Sequence, residues 1–229
     1  MEIGFDLISD LYLQPDESFN WENKATSLYC LLAGNVCSDL RTLHQTLAHL
    51  SNFYQGIFYV PGTLEYFETN SIEKRTKEIH AICKKLPKVA FLDHHVVILD
   101  GIAIVGANGW AVDDIQNEHY QYKIKDIAYL SHSIEKLQKH LDVNHILLLT
   151  NAVPKLDLYY KDNPPNSEDD IWLELCLAHD TERKIKVWCY GTSPITTDTV
   201  IGEHSINFVN NSFYKKIKPY WPKRINMNV

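Results

Sequence analysis

Apolar residues along this chain fall into two alternating kinds of segment. Short, nearly continuous apolar runs occur at EIGFDLIS (2–9), SLYCLLAG (27–34), GIFYVPG (56–62), VVILDGIAIVG (96–106), HILLLTN (145–151), IKVWCYG (185–191) and HSINFVN (204–210). Their length and the turn residues that bound them predict strands, several covered on both faces. Between them lie stretches with helical spacing. Residues 38–54 place Leu40, Leu43, Leu47 and Leu50 on one stripe, with Ser38 or Asp39 as the cap. Residues 70–86 carry Ile72, Ile79, Ile82 and Leu86, and residues 124–141 are amphipathic. A fourth helix is predicted over 167–184, where Glu168, Asp169 and Asp170 suit the positive end of a helix dipole.

Asp100-Gly101 splits the fourth run into a hairpin, and Gly202 marks a second one. The resulting order is β-β-α-β-α-β-β-α-β-α-β-β. It predicts an α/β protein of two mixed sheets packed face to face, with flanking helices outside. No repeat, linker or low-complexity tract interrupts the pattern, so residues 1–229 are expected to form a single domain. KDNPPNSEDD (161–170), rich in turn formers, is predicted to be a mobile loop.

Composition narrows the function classes. Of the 229 residues, 45% are hydrophobic and 22% charged, and the formal net charge is −7. That balance gives no general attraction to nucleic acid or membranes. No apolar run approaches the ~20 residues a membrane span needs. MEIGFDLISDLYL reads as a first strand and not as a signal peptide. Five cysteines, at 30, 37, 83, 176 and 189, are odd in number and form no CxxC pair. A reduced, cytoplasmic protein with buried thiols is expected.

The chemistry should lie where strands end, since α/β sheets gather their functional residues at the carboxyl ends. Five such ends read ISDLYL, LAGNVCS, VPGTLEY, LLTNAVP and WCYGTSP. In this order the segments resemble those of the calcineurin-like metallophosphoesterases. That family carries Asp-x-His, Gly-Asp, Gly-Asn-His-Glu, a Thr-His-His-Ala-Pro-like segment and Gly-His-x-His. LPKVAFLDHHVVILDGIAIVGANGW is similar to the family's middle hairpin and its Gly-x-x-x-Trp segment. The resemblance implies a four-layer sandwich and a cleft built for two metal ions ~3.5–4 Å apart that activate water and clamp a phosphate.

The residues at the matched positions depart from that chemistry. Asp10 matches the first aspartate, and Glu65 and Tyr66 match the third motif. Tyr12, Asn35, Thr63, Leu64, Asn151, Ala152, Thr192 and Pro194 stand where the resemblance implies metal ligands or catalytic residues. Leucine, alanine and proline side chains offer no lone pair, and a neutral amide is a poor bridge between dications. The cleft formed by Asp10, Tyr12, Asn35, Thr63, Leu64, Asn151, Thr192 and Pro194 is therefore expected to be vestigial. No catalytic residue, metal or cofactor is expected there.

Two functions are weighed on this basis. One is a catalytically inactive phosphoesterase-fold protein that binds a protein partner or a nucleotide or other phosphate ligand. A retromer subunit in the wider family uses the fold as such a scaffold. The alternative is a phosphoesterase with an altered site, holding one weakly bound divalent metal near Asp10, Asn35 and Asn151.

Other candidate residues favour structural roles. Adjacent strand side chains point to opposite faces, so His94 and His95 are read as hairpin surface residues. His44 and His49, five apart on one helix, face differently, and His80, His132, His140 and His179 fall on helices as solvated positions. Cys37, near a helix start, is a candidate nucleophile but is read as a small core or cap residue. The tail over 211–224 interleaves Lys215, Lys216, Lys218, Lys223 and Arg224 with Phe213, Tyr214, Tyr220 and Trp221. Single strands of nucleic acid are held by such mixtures. Here the preferred reading packs the aromatics on a sheet edge, with the lysines in water.

Overall fold

The computed structural model describes residues 2–67, 69–110, 119–155, 158, 171–194, 196–201, 205–213 and 220–229. Two sheets carry it. The first has strand order β11-β1-β2-β3-β4, from β1 (Glu2–Ile8), β2 (Tyr29–Ala33), β3 (Gly56–Val60), β4 (Val89–Phe91) and β11 (Lys223–Asn228). The second has order β5-β6-β7-β8-β10-β9, from β5 (His95–Leu99), β6 (Ile102–Ala107), β7 (His145–Thr150), β8 (Ile185–Tyr190), β9 (Thr197–Ile201) and β10 (Ile206–Asn210). Neighbouring strands from β1 to β4 are parallel, as are β6, β7, β8 and β10, while β11, β5 and β9 run antiparallel at the edges.

Continuous apolar runs arise because each central strand feeds two cores. On β2, Cys30 and Leu32 face the outer helices while Leu31 and Ala33 face the other sheet. On β7, Ile146 and Leu148 face outward while Leu147 and Leu149 face the first sheet. The helices α1 (Leu40–Leu50) and α2 (Ile72–Cys83) cover the first sheet. The second is covered by α3 (Tyr120–Gln138) and α4 (Ile171–Leu177). The expected α/β architecture, two mixed sheets face to face with helices on both sides, is what the chain adopts. At Gly106 the sheets approach so closely that a Cβ would lie 2.4 Å from Cβ of Leu92 and 2.7 Å from Cγ1 of Val60.

Local chemistry sets the boundaries. Of the two candidate caps, Asp39 starts α1, accepting the N–H of Thr42 at 2.8 Å. Ser71 caps α2 through the N–H of Lys74. Asp100 (φ 45°) and Gly101 (φ 83°) both take positive φ in the β5–β6 hairpin, as a tight two-residue turn demands. The predicted 167–184 helix is shorter than its pattern. It ends at Leu177, and beyond it the Asp180 carboxylate accepts the N–H groups of Lys184 and Ile185 to steer the chain into β8. Two strands were not expected. The short β4 adds an edge to the first sheet, and β11 buries Ile225 and Met227 from an otherwise polar segment. Strands β9 and β10 pair antiparallel, but their connection over 202–204, with Gly202, and the proline-rich 161–170 segment lie outside the described residues.

Candidate functional site

Parallel pairing brings the carboxyl ends of β1, β2, β3, β7 and β8 to one rim, and the five sequence segments meet there. Immediately after β1, Asp10 is fully buried. Its carboxylate accepts hydrogen bonds from Asn35 Nδ2 (2.8 Å), Ser9 Oγ (2.9 Å) and the backbone N–H of Thr192 (3.0 and 3.1 Å). Burial raises the Asp10 pKa above the ordinary carboxylate value, and those hydrogen bonds only partly oppose it.

Asn35, after β2, is the hub. Its Nδ2 also lies 3.3 Å from Tyr12 Oη and from Thr192 Oγ1, and its Oδ1 accepts the N–H of Leu64 at 3.0 Å. Asn151, after β7, donates to the Ala33 carbonyl (2.8 Å) and accepts from Thr192 Oγ1 (2.9 Å). Beneath the turn at Gly62, the buried Glu65 carboxylate accepts from the N–H groups of Gly62, Asn35 and Val36 and from the Tyr59 hydroxyl. Its pKa, too, is raised by burial against the pull of these donors.

The backbone is tightly constrained at this rim. Asp10, Tyr12, Asn35 and Thr192 all have φ between 49° and 56°. That region costs a β-branched threonine most. Where β2 and β3 end, the chains touch: a Cβ on Gly62 would fall 2.3 Å from Asn35 Oδ1 and 2.4 Å from its backbone nitrogen. One on Gly191 would lie 2.5 Å from the Ala33 carbonyl oxygen.

Not every predicted cleft residue joins the network. Asp10, Tyr12, Asn35, Asn151 and Thr192 are joined by hydrogen bonds. Thr63 and Leu64 are half-buried, Leu64 contributing its backbone N–H, and Pro194 is exposed. The exposed Pro194 therefore does not fill the site. Cys37 is buried, its thiol donating to the Asp39 carbonyl, and burial with the charges of Glu65 and Asp39 pushes its pKa up to about 12. A thiol so held is a core residue. In the tail, Tyr220 is buried, 5.0 Å from the ring of Phe213, and its hydroxyl accepts the Ser9 N–H and donates to the Asn211 carbonyl. Lys223 pairs with Asp198, Trp221 is exposed, and residues 214–219 lie outside the described residues.

A second polar cluster was missed by the sequence reading. His94 is exposed, as expected, but it sits in the turn before β5 with φ 53° and not on a strand. Its ring stacks on Tyr129 at 4.6 Å, and Nε2 lies 2.6 Å from Asp126 Oδ1. Asp126 is buried on α3, and its Oδ2 accepts the Gly109 N–H at 2.7 Å. Burial lowers the His94 pKa, but the Asp126 hydrogen bond and the two carboxylates outweigh it and leave the value raised. Burial and the Asp126 charge push neighbouring Asp93 up to about 6. Nothing in the local sequence around 93–95 points to Asp126, some thirty residues away on a helix. The turn of Asn108, Gly109 and Trp110 joins the two polar regions, because the Asn108 carbonyl accepts the N–H groups of Asn151 and Ala152. Among the described residues, no helix is long and apolar enough to cross a membrane.

No family model matches the sequence. One curated relative, uncharacterized protein L509 of Acanthamoeba polyphaga mimivirus, is 23% identical over 150 residues, covering 58% of this chain and 52% of that protein. The chain thus spans about half the length of the curated relative it matches. Among solved structures, phosphopantetheinyl hydrolase from Mycobacterium tuberculosis superposes with a TM-score of 0.65 at 14% identity, over 98% of this chain and 96% of that one. A putative 5'-nucleotidase from Staphylococcus aureus, in complex with alpha-ketoglutarate, gives a TM-score of 0.56 at 11% identity, over 100% of this chain and 51% of that one. In fold, then, the chain is similar to phosphoesterase-type hydrolases.

Proposed function

We propose that this protein has a phosphoesterase fold that acts by binding a protein partner, without hydrolysis at the five strand ends. One observation carries the reading: the amide nitrogen of Asn35, a hydrogen-bond donor, points at Asp10 from 2.8 Å. A metal-bridging site needs a second oxygen donor facing that carboxylate, and here the facing group carries the positive end of an amide dipole. Thr192 aims its backbone N–H at the same two oxygens. Tyr12, Asn151 and Asn35 are neutral, and the Leu64 and Pro194 side chains supply no donor at all. These residues do not fit a dinuclear centre, and one carboxylate does not offset two dications.

Ligand sensing at the same place is less favoured. The donors an anion would need, Asn35 Nδ2 and the Thr192 N–H, are already engaged with a carboxylate that would repel it. The retained fold with a self-saturated rim supports a scaffold with no cofactor at the rim, and five free, buried cysteines suit the reducing cytoplasm.

The test is turnover by the purified full chain, stripped with chelator and resupplied with manganese, magnesium or nickel, on a phosphomonoester and a phosphodiester. Rates equal to buffer controls are expected. Activity that disappears in Asp10→Ala would establish the alternative, an altered but working phosphoesterase.

A further inference from the structure

Away from the strand-end rim, Asp93, His94 and Asp126 bring one imidazole and two carboxylates together, with one donor atom from each lying within 4.8 Å of the others. We propose that these three residues form a mononuclear divalent-metal site for a zinc-like ion, independent of the reading of the Asp10 rim. The donor set is the first reason. Imidazole with carboxylate suits borderline ions such as zinc, and three protein ligands leave a fourth tetrahedral position for water or a ligand group.

Rigidity is the second reason. His94 is fixed by its stack on Tyr129 and by its hold on Asp126. Asp126 is fixed in turn by the Gly109 N–H on its other oxygen, the kind of outer contact that orients a ligating carboxylate. Zinc–ligand bonds of about 2.0–2.2 Å place tetrahedral donors about 3.4 Å apart, so the 2.6 Å His94–Asp126 pair must open and donors now within 4.8 Å of one another must draw together by about 1 Å. The His94–Asp126 hydrogen bond would give way to two bonds to the ion.

Asp93 supplies the third reason. It is half-buried beside a second carboxylate, and no hydrogen bond reaches its side chain from the described residues. Two carboxylates crowded in this way repel, and a dication between them removes the repulsion. Access is also present. Asp93 borders a cavity of about 380 Å³ between α2 and the edge strands β4 and β5, lined by Lys77, His80, Lys84, Phe91 and His95 among others. His94 and Asp126 do not line that cavity, and the cluster is also reached from solvent through the His94 side chain, which is 40% exposed.

The experiment is calorimetric titration of zinc chloride into the chelator-stripped full chain, repeated with Asp93→Asn and His94→Gln. Circular dichroism melts without metal confirm that both variants fold. Asp126→Asn is avoided because Asp126 also holds the Gly109 N–H. Expected are one zinc per chain with a dissociation constant in the micromolar range or tighter, and at least a tenfold loss of affinity in each variant. No stoichiometric zinc on the wild-type chain would overturn the proposal. So would an affinity unchanged in both variants, which would put the ion elsewhere. Neither result bears on hydrolysis at the Asp10 rim, which the turnover assay tests separately.

Discussion

Asn35 Nδ2 and Asp10 Oδ1 lie 2.8 Å apart, with the amide donating. The same nitrogen lies 3.3 Å from both Tyr12 Oη and Thr192 Oγ1, and the amide oxygen accepts from Leu64 N–H. One side chain thus ties together the ends of β1, β2, β3 and β8. It does with hydrogen bonds what clustered positive charge does in a metal centre, holding a buried carboxylate in place. Four residues with left-handed backbone at this rim make the bonds costly to rearrange.

Replacing that amide with a carboxylate is the sharpest perturbation of the arrangement. In Asn35→Asp, two buried carboxyls face each other at hydrogen-bond distance, and they are expected to share one proton. The variant should lose about 1–3 kcal/mol of stability at neutral pH. The sign follows from linkage. A carboxyl whose folded pKa is raised contributes stability below its unfolded pKa and loses it as pH rises through the folded value. The urea midpoint of the variant should therefore recover towards wild type between pH 7 and pH 5. Hydrolysis of phosphoesters with added manganese should remain absent.

The wild-type carboxyl obeys the same rule more gently. Burial raises the Asp10 pKa, with the bonds from Asn35, Thr192 and Ser9 opposing. Its favourable contribution is present below about pH 3.8–3.9, the ordinary aspartate value, and fades as pH rises through the raised one. The stability gap between wild type and Asp10→Asn should be widest near pH 4.5 and narrow towards pH 7.5. Urea melts across that range measure it, and other titrating groups cancel in the difference. A gap that widens with pH would show that the hydrogen bonds outweigh burial.

How much of this was legible in the sequence depended on range. Strands such as HILLLTN, covered on both faces, announce themselves by composition, and the five strand ends could be aligned without coordinates. Segment β11 could not, because KRINMN buries only Ile225 and Met227 and is a strand by virtue of pairing with β1, two hundred residues away. At the rim, the sequence supplied identities but not directions. It did not reveal that Asn35 turns its nitrogen to Asp10, or that Pro194 faces solvent. His94 is at the surface, as expected, but the strand alternation that sends neighbours to opposite faces does not apply to it. The chain turns there instead, and its partner Asp126 comes from a helix.

Close backbone contact gives a prediction that does not involve charge. Gly62 has no room for a Cβ, which would stand 2.4 Å from the Asn35 backbone nitrogen, an atom anchored to Glu65. Gly62→Ala should destabilise by about 1–3 kcal/mol or more through overpacking. Gly4→Ala, where the nearest contact is the Ser27 hydroxyl at 3.1 Å, should cost markedly less. Thermal or urea melts of the two variants side by side provide the comparison.

The last prediction separates an inert rim from a ligand pocket. An amide kept for a ligand would be dispensable to the fold, and its replacement by leucine would alter binding alone. Asn35 is instead buried and engaged at both ends of its side chain. Asn35→Leu removes the donor to Asp10 and the acceptor for Leu64 N–H, and it places a bulky residue at φ 54°. Asp10 keeps its bonds from Ser9 and Thr192. Losing one bond to that carboxyl and leaving the Leu64 N–H without its acceptor each cost about 1–3 kcal/mol, so a loss of at least about 2 kcal/mol is expected. Leu64→His, on a half-buried side chain, should cost about 1 kcal/mol or less and restore no metal-dependent hydrolysis, because Asn35 and Thr192 still occupy the Asp10 carboxylate. Asn35→Leu with near wild-type stability would mean that the amide serves something other than the fold. Turnover in Leu64→His would mean that the rim needs only one imidazole to act on phosphate.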